Sequence, residues 1–409
     1  MSEAGFSHIF QTLKHRDFRI FITGQTLSQT GVWMQRVIVG WYTWELTHSA
    51  TWLGLISLAD LFPALFVGSL FGAVADRVDR LNIIRLTQIG CAATAIALFL
   101  MVVYEWSSIE LLFFLAVVFS TCVSMNLPAR LAIVPNLVPK SQLHSAVAIN
   151  SVVSNAGRFL GPAVAGFAIV QWGVGPAFAI CAACFGVPAC TLLLIATPAD
   201  ESKPTGKRIL TDVADGLIYT FRHPGIGPLM ASLIVTSILG KAIIVMFPAF
   251  SSLIFERGAD GVAWLTGITG AVAILGGLFI ARRGGVKGLT HIFILNIALI
   301  GASLAAFAAT GNFWLAIAIA TVLGASQMIN GVSAQTLIQN TVEGQMRGRV
   351  ASLYVIIQRG GQSLGGFILG VAADLVGLRI SVIAAGTVCL GFWLWSLRRR
   401  KAMASLLEN

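Results

Sequence analysis

The segment that decides the fold reads GAVADRVDR at residues 72–80, and a partial copy, GLFIARRGG, stands at residues 277–285. The two copies are separated by about half the length of the chain. Further matches follow at nearly the same shift, 203 to 205 residues: Asn126 with Asn330, Asn136 with Asn340, Val138 with Val342, Val147 with Val350, Gly157 with Gly360, Gly161 with Gly365 and Gly166 with Gly370. A nearly constant shift over this distance indicates an internal duplication, with the same layout in each half.

The composition indicates that most of the chain faces lipid or buried helices. Of its 409 residues, 56% are hydrophobic and 11% are charged, whereas soluble domains carry roughly 25% charged residues. Apolar stretches of about 20 residues, enough to cross a bilayer, recur from end to end. They predict twelve membrane-spanning helices, at residues 18–46, 51–75, 82–104, 109–134, 143–171, 175–196, 226–255, 262–281, 288–309, 313–340, 349–376 and 379–397. Duplicated halves in such a chain are typical of transporters.

The distribution of basic residues predicts the topology. Most of the 27 Lys and Arg residues fall in alternate loops and in the two tails, whereas the opposite loops hold only Arg257 and Arg379. By the positive-inside rule, both termini then lie in the cytoplasm. The net charge of +10 therefore indicates topology and not nucleic-acid binding. We expect a multi-pass protein of a bacterial cytoplasmic (inner) membrane, without a cleavable signal peptide.

These patterns divide the chain into three parts. A six-helix bundle is expected over residues 1–196, a cytoplasmic linker over 197–225 and a second six-helix bundle over 226–409. In the linker, apolar residues recur at helical spacing at Ile209, Val213, Leu217 and Phe221. This period predicts an amphipathic helix at the membrane surface, within a tether that lets the two halves move.

The segment at residues 72–80 resembles the signature loop of the major facilitator superfamily. Gly72, Asp76, Arg77 and Arg80 occupy the positions of its glycine, acid and basic residues, while Asp79 stands where the family usually has glycine. The resemblance implies an all-α integral membrane protein with the major facilitator fold. That fold has twelve transmembrane helices in two pseudo-symmetric six-helix bundles around a central cavity. It also implies that this loop gates the cytoplasmic side.

A second motif lies in the fifth predicted span, where small residues surround a proline: Gly157, Gly161, Pro162 and Gly166. Such a face permits tight helix packing and a bend, and packing alone would explain it. It is also similar to the fifth-helix motif of exporters in this superfamily, except for Ala165. Neighbouring segments resemble the bacterial exporter branch that includes the enterobactin exporter and drug–proton antiporters.

Charged residues deep in membrane spans are costly and usually mark function. The candidates are Arg36, Arg130, Arg158, Lys241, Arg359 and the acid Asp60. Arg36 and Asp60 lie at similar distances from the turn near residues 47–50, which predicts an ion pair with a coupling or a structural role. The shift of 205 residues that relates the signature loops also relates Arg36 to Lys241.

These residues predict a positively charged site. We assign the substrate cavity to Arg36, Lys241, Trp33, Arg158 and Arg359, and proton coupling to Asp60 with Arg36. Trp33 is then placed to stack on a ring of the ligand. For Lys241, the alternative is an ammonium group that extends to the membrane surface or pairs elsewhere.

The sequence therefore predicts a secondary active transporter, a proton-coupled exporter of a small amphipathic solute that works by alternating access. An anionic, siderophore-like or drug-like solute would suit the positive site. The central Arg that many proton-coupled drug exporters have in the fourth span is missing, so coupling by that route is not expected. The alternatives are a lipid or lysophospholipid flippase on the same fold, and a membrane-embedded enzyme or sensor, for which no catalytic constellation is visible.

The expected ligands are a small organic solute and protons. Membrane lipids surround the protein, which is expected to be a monomer that binds no nucleic acid. The sequence has no P-loop for ATP. Cys181 and Cys184 have the spacing of a redox or metal site, but no His or acidic residue is near them, so they are expected to be small buried residues. We therefore expect no cofactor, no metal and no catalytic residues.

Overall fold

The computed structural model describes residues 11–75, 79–195, 217–344 and 346–408, with side chains for all of these except 62, 64–75 and 281. Within these ranges the chain is helical apart from short turns, and it contains no strand. Asp76 and Arg77 of the signature loop lie outside the described residues, as does most of the predicted linker. Residues 217–222, at the end of that linker, are helical.

The first half of the described chain contains six long helices, which agree with the predicted segments to within a few residues. They are α1 (Arg16–Thr47), α2 (Ala50–Ala75), α3 (Arg80–Val103), α4 (Ile109–Leu137), α5 (Leu143–Trp172) and α6 (Val174–Thr191). The carboxylate of Asp79 accepts a hydrogen bond from the backbone N–H of Leu81 and begins α3. Asp79 thus acts as a helix cap where the family motif has glycine.

After the helical residues 217–222, the described chain contains eight further α-helices. They are α7 (Ile226–Val235), α8 (Ile243–Leu253), α9 (Ala259–Arg283), α10 (Leu289–Ala309), α11 (Phe313–Thr341), α12 (Arg347–Val376), α13 (Leu378–Arg398) and α14 (Arg400–Leu407). A π-helical turn, Thr236–Gly240, follows α7. The segment predicted as one helix over residues 226–255 is therefore interrupted near its middle. Such interruptions are frequent at functional sites.

Within the described residues, nine helical segments are long and apolar enough to cross a membrane, by length and composition. Helices α1 and α12 are not among them; both carry Arg and Gln residues along their length. Helix α2 contributes a shorter apolar segment, Ala50–Leu61. The number of twelve membrane-spanning helices stays a prediction.

The chain forms two compact units, and α2 contributes to both. The first unit comprises residues 1–42 and 62–206, and the second comprises residues 43–61 and 207–409. Pro63 lies inside α2 just after the division. A proline has no N–H to donate to the carbonyl four residues earlier, which here is that of Ala59, so the helix lacks one hydrogen bond at this point.

Each unit has a hydrophobic core at one end of its helices. In the first, residues of α1, α3 and α4, such as Phe21, Ile84 and Ile133, pack together. In the second, α7, α10 and α11 pack against the short helix α14, whose Met403 and Leu407 are fully buried. The spacing of Met403 and Leu407, four residues apart, accounts for this docking, since it places both on one face of α14.

Candidate functional site

In the first unit, the indole ring of Trp33 lies close to two guanidinium groups. The Cζ atom of Arg36 is 5.0 Å from the ring centroid, and the Cζ atom of Arg158 is 5.2 Å from it. Arg36 follows Trp33 by one turn of α1, whereas Arg158 comes from α5. Both distances are within the ~6 Å at which an aromatic face attracts a cation. The structure thus brings together three of the five residues predicted for the substrate cavity.

Glycines of the fifth-helix motif set the position of this cluster. A Cβ atom at Gly161 would lie 2.5 Å from the Cβ of Trp33, and one at Gly157 would lie 2.8 Å from the Cβ of Gln29. Any side chain at these positions would push α5 away from α1. Because Arg158 directly follows Gly157, the close packing of the two helices also determines where its guanidinium group lies. Pro162 and Gly166 of the same motif are buried.

The two arginines are accessible. Arg36 and Arg158 are exposed, and Trp33 is half-buried. Both cations lie in the middle of long helices, where contact with lipid tails would be costly. A flat ring bordered by two accessible guanidinium groups is suited to an anionic ligand with an aromatic or apolar body, because guanidinium binds carboxylate in a bidentate manner.

A different polar cluster surrounds Lys241 in the second unit, directly after the π-helical turn. The Nζ atom of Lys241 donates a hydrogen bond to Oε1 of Gln358 on α12, and the hydroxyl of Ser237 donates to the same oxygen at 3.3 Å. The Nε2 atom of Gln358 donates to the hydroxyl of Tyr354 at 3.2 Å. That hydroxyl donates to the carbonyl oxygen of Gly331 at 2.9 Å.

The π-helical turn is itself held by neighbouring helices. On α11, Nε2 of Gln327 donates to the carbonyl oxygen of Gly240 at 2.8 Å. On α12, Gly365 is so close that a Cβ atom at this position would overlap the carbonyl oxygen of Ile238. The backbone that precedes Lys241 therefore has both a polar partner and a close packing contact.

The internal repeat is visible in these contacts. Gly161 packs on Trp33 in the first unit, and Gly365 packs on Ile238 in the second. The shifts between these two pairs, 204 and 205 residues, are those that relate the two halves of the sequence. A basic residue lies three positions after the contacted residue in each unit: Arg36 after Trp33, and Lys241 after Ile238. Equivalent helix contacts thus precede the two basic residues that the internal repeat relates.

The remaining predicted residues are Asp60, Arg359 and those of the signature loop. Asp60 is half-buried in α2, and Arg359 is exposed on α12. Arg36 belongs to the first unit and Asp60 to the second, so their ion pair stays a prediction. In the signature loop, Arg80 donates from Nη1 to the carbonyl oxygen of Ala132 at the end of α4 (3.1 Å).

Gln327, Tyr354 and Gln358 were not predicted as site residues, because they carry no charge. An uncharged polar residue inside a span costs less than a charge, and it is a weaker sign of function. The signal that was available is the spacing of Tyr354 and Gln358, which are four residues apart on one face of α12.

Long apolar helices in two units with duplicated contacts, and basic residues in the middle of those helices, define a helical membrane transporter. The sequence profile of the transmembrane secretion effectors, a family of the major facilitator superfamily, matches residues 7–404. The chain therefore belongs to this family. The resemblance predicted from the signature loop and the fifth-helix motif is confirmed.

Individual relatives agree with this assignment. The chain is 23% identical to the staphyloferrin A transporter of Staphylococcus aureus over 395 residues, which cover 93% of this chain and 96% of the relative. It is 25% identical to an enterobactin exporter of Escherichia coli over 366 residues, which cover 87% and 85%. It is 22% identical to macrolide efflux protein A of Streptococcus pyogenes over 373 residues, which cover 90% and 92%. These relatives are transporters and not enzymes, as predicted.

The fold has known counterparts as well. A bacterial homologue of the human lysosomal transporter Spinster, solved in an inward-facing and unoccupied conformation, superposes with a TM-score of 0.75. The match covers 95% of this chain and 98% of that structure, at 15% sequence identity. The shared fold agrees with the assignment of the chain to a family of multi-pass membrane transporters.

Proposed function

We propose that the protein is a secondary active exporter of a small amphipathic organic anion, siderophore-like or drug-like, in the inner membrane of a bacterium. Export is driven by protons and proceeds by alternating access. The proposal includes twelve membrane-spanning helices in two six-helix bundles, with both termini in the cytoplasm, and a monomer as the active form. The observation that carries it is the position of Trp33 close to both Arg36 and Arg158.

The charges of this cluster favour an anion. The two guanidinium carbons are no more than about 10 Å apart, since each is about 5 Å from the same ring centroid. At 10 Å and an effective dielectric constant of about 20, two unit charges repel each other by about 1.7 kcal/mol. A carboxylate or catecholate bound between them is attracted to both guanidinium groups, which offsets this repulsion. An apolar part of the ligand can contact the indole ring.

The names of the relatives support export of an organic molecule. Two are named for the siderophores staphyloferrin A and enterobactin, and a third for macrolides. Sequence identities of 22–25% leave room for a different substrate. The substrate class therefore rests on the cluster around Trp33.

Proton coupling is assigned to Asp60, together with Arg36. Asp60 is a half-buried carboxylate inside the apolar segment Ala50–Leu61 of α2. A carboxylate in such a stretch usually serves a function, because its charge is costly there. The signature loop residues Gly72, Asp76, Arg77 and Arg80 are proposed to gate the cytoplasmic side.

Transport in proteoliposomes with an imposed pH gradient tests the proposal. We would compare an aromatic carboxylate probe with its carboxamide, which has the same shape and no charge. We expect uptake of the carboxylate into inside-out vesicles, faster than that of the carboxamide. Equal rates for the two probes would reject the anion, and transport that ignores the pH gradient would reject proton coupling.

Variants of the cluster give a matched comparison. Arg36→Gln and Arg158→Gln should each raise the KM for the carboxylate about tenfold, the loss expected for one charge-assisted hydrogen bond of ~1.5 kcal/mol. Arg257→Gln is the control. The Cζ of Arg257 lies 4.2 Å from the centroid of the Phe313 ring, and both residues are far from the Trp33 cluster in the sequence. This variant removes a guanidinium from an aromatic ring without changing the proposed site.

A further inference from the structure

We infer that Gln358 and Tyr354 are positioning residues that present the ammonium group of Lys241 to an anionic group of the substrate. The second unit then carries its own recognition point for a carboxylate or phosphate. This inference rests on the proposed function for its ligand. It assigns roles to two uncharged residues that sequence analysis did not identify.

The hydrogen bonds define which way the amide of Gln358 faces. The hydroxyl proton of Tyr354 is given to the carbonyl oxygen of Gly331, so the phenolic oxygen accepts from Nε2 of Gln358. If the amide turned over, its carbonyl oxygen would meet a hydroxyl whose proton is already used, and its NH2 group would face the ammonium of Lys241. Tyr354 therefore holds the carbonyl oxygen of Gln358 toward Lys241.

The neutral character of Gln358 matters for the ligand. A carboxylate at this position would place a negative charge beside Lys241, whereas an amide oxygen accepts a hydrogen bond without adding a charge. An ammonium group has three N–H donors. An anion can therefore bind Lys241 while the hydrogen bond to Gln358 stays in place, which orients the flexible lysine side chain beforehand.

The backbone that precedes Lys241 is also held by neighbouring helices. Lys241 directly follows the π-helical turn, whose last carbonyl, that of Gly240, accepts from Gln327. Gly365 packs against the same turn at Ile238. Contacts with α11 and α12 thus hold both the backbone before Lys241 and its Nζ atom. This arrangement restricts the ammonium group to a small volume.

Kinetics of single and double variants test the inference, with the carboxylate probe and its carboxamide. Gln358→Glu should raise the KM for the carboxylate about tenfold or more and leave that for the carboxamide within about twofold, because it places a negative charge where the anionic group would bind Lys241. Tyr354→Phe should raise the carboxylate KM about threefold with kcat unchanged, because the amide of Gln358 can turn over. In the Gln358→Leu background, Tyr354→Phe should have no further effect, since no side-chain amide is left for the hydroxyl to orient.

Two controls separate this role from general effects. Gln362→Glu places the same charge on α12 one turn away, and Tyr104→Phe removes a hydroxyl from an exposed tyrosine of the first unit. Both should change the carboxylate KM less than twofold. An equal effect of Gln362→Glu and Gln358→Glu, or a Tyr354→Phe effect that is the same in both backgrounds, would overturn the inference.

A measurement without transport separates this inference from the proposed function. Purified protein is reductively methylated with 13C-formaldehyde, and the Lys241 resonance is assigned by its loss in Lys241→Arg. Tyr354→Phe should shift that resonance in the wild-type background and leave it unchanged in Gln358→Leu. If the wild type does not distinguish the two probes, the proposed function fails, and this spectrum still decides whether Tyr354 acts on Lys241 through Gln358. A resonance that does not respond to Tyr354→Phe overturns the inference.

Discussion

The carboxylate of Asp374, near the end of α12, accepts a hydrogen bond from the backbone N–H of Ala50 at 2.9 Å. Its other oxygen accepts from the hydroxyl of Ser49 at 2.6 Å and from the N–H of Thr51 at 2.9 Å. Asp374 thus caps the N-terminus of α2 with three hydrogen bonds, although it lies more than 300 residues away in the sequence. Anionic groups are stabilising at this end of a helix, where N–H groups lack partners.

The contact continues along the first three turns of α2. A Cβ atom at Gly54 would lie 2.6 Å from the Cα of Phe367, and the hydroxyl of Ser57 donates to the carbonyl oxygen of Ser363 at 3.0 Å. This part of α2 therefore belongs to the second unit, while the part after Pro63 belongs to the first. A helix shared in this way connects the two units through its own backbone.

We expect Asp374→Asn to lower the free energy of unfolding by about 1 kcal/mol, the usual cost of losing a helix cap. An amide presents one acceptor oxygen where the carboxylate presents two. Thermal unfolding in detergent measures the effect. Asp260→Asn is the control, because Asp260 makes a local ion pair with Arg257 at 2.9 Å, three residues away. A melting temperature for Asp374→Asn no lower than that of the control would contradict a stabilising role for the cap.

Gly161→Ala should damage both stability and transport. Its new Cβ atom would lie 2.5 Å from the Cβ of Trp33, and overpacking of this kind costs about 1–3 kcal/mol. Because α5 also carries Arg158, the carboxylate KM should rise as well. Gly186→Ala on α6 is the matched control, since nothing lies within 4 Å of its Cβ position; it should be neutral or slightly stabilising. A Gly161→Ala protein with wild-type stability would show that α1 and α5 are not in close contact.

The stability of the second unit should depend on pH through Glu408, which follows α14. Burial acts to raise the pKa of Glu408, but hydrogen bonds from the N–H groups of Gly288 and Thr290, together with the charge of Arg283, lower it below the ordinary value. A lowered pKa in the folded state stabilises the protein above the unfolded-state pKa of about 4.3. This stabilisation is lost as the pH falls through the folded-state pKa.

The test is the melting temperature of the wild type and of Glu408→Gln between pH 7 and pH 3. The wild type should be more stable at pH 7, and the difference should shrink below about pH 4.3. Glu105→Gln is the control, because Glu105 is exposed in the loop after α3. A difference between wild type and Glu408→Gln that grows as the pH falls would have the opposite sign and exclude this role.

Helix bounds were largely predictable from sequence, because apolar runs with polar turns between them determine where a span can begin and end. The interruption before Lys241 was not predictable. The interrupted segment contacts Gln327 and Gly365, which lie on other helices and more than 80 residues away. A local pattern of apolar residues contains no information on such a tertiary partner.

The cluster around Trp33 was predictable in its residue types and not in its geometry. Basic residues in apolar spans identified Arg36 and Arg158 as candidates. Their common contact with one indole ring depends on how closely α5 approaches α1, and this follows from the glycine at position 161 meeting Trp33. The sequence could only indicate that a face of small residues permits such an approach.

Asp60→Asn should abolish transport driven by a pH gradient and leave downhill exchange of the substrate intact. Asparagine has nearly the same shape as aspartate and cannot take up or release a proton, so the variant should still bind and exchange the carboxylate probe. Uphill transport under an imposed pH gradient should be abolished, while downhill exchange of labelled for unlabelled probe continues at a rate near that of the wild type.

The controls decide whether a loss at Asp60 is specific. Asp374→Asn removes a carboxylate from a helix end with no assigned part in coupling, and should retain gradient-driven transport. Asp60→Glu keeps a titratable group at the position, and partial recovery of uphill transport by this variant would support proton transfer there. If Asp60→Asn accumulates the probe against its gradient as well as the wild type does, the carboxylate is structural. Coupling then belongs to another group, and the positively charged cluster around Trp33 would retain only its role in binding.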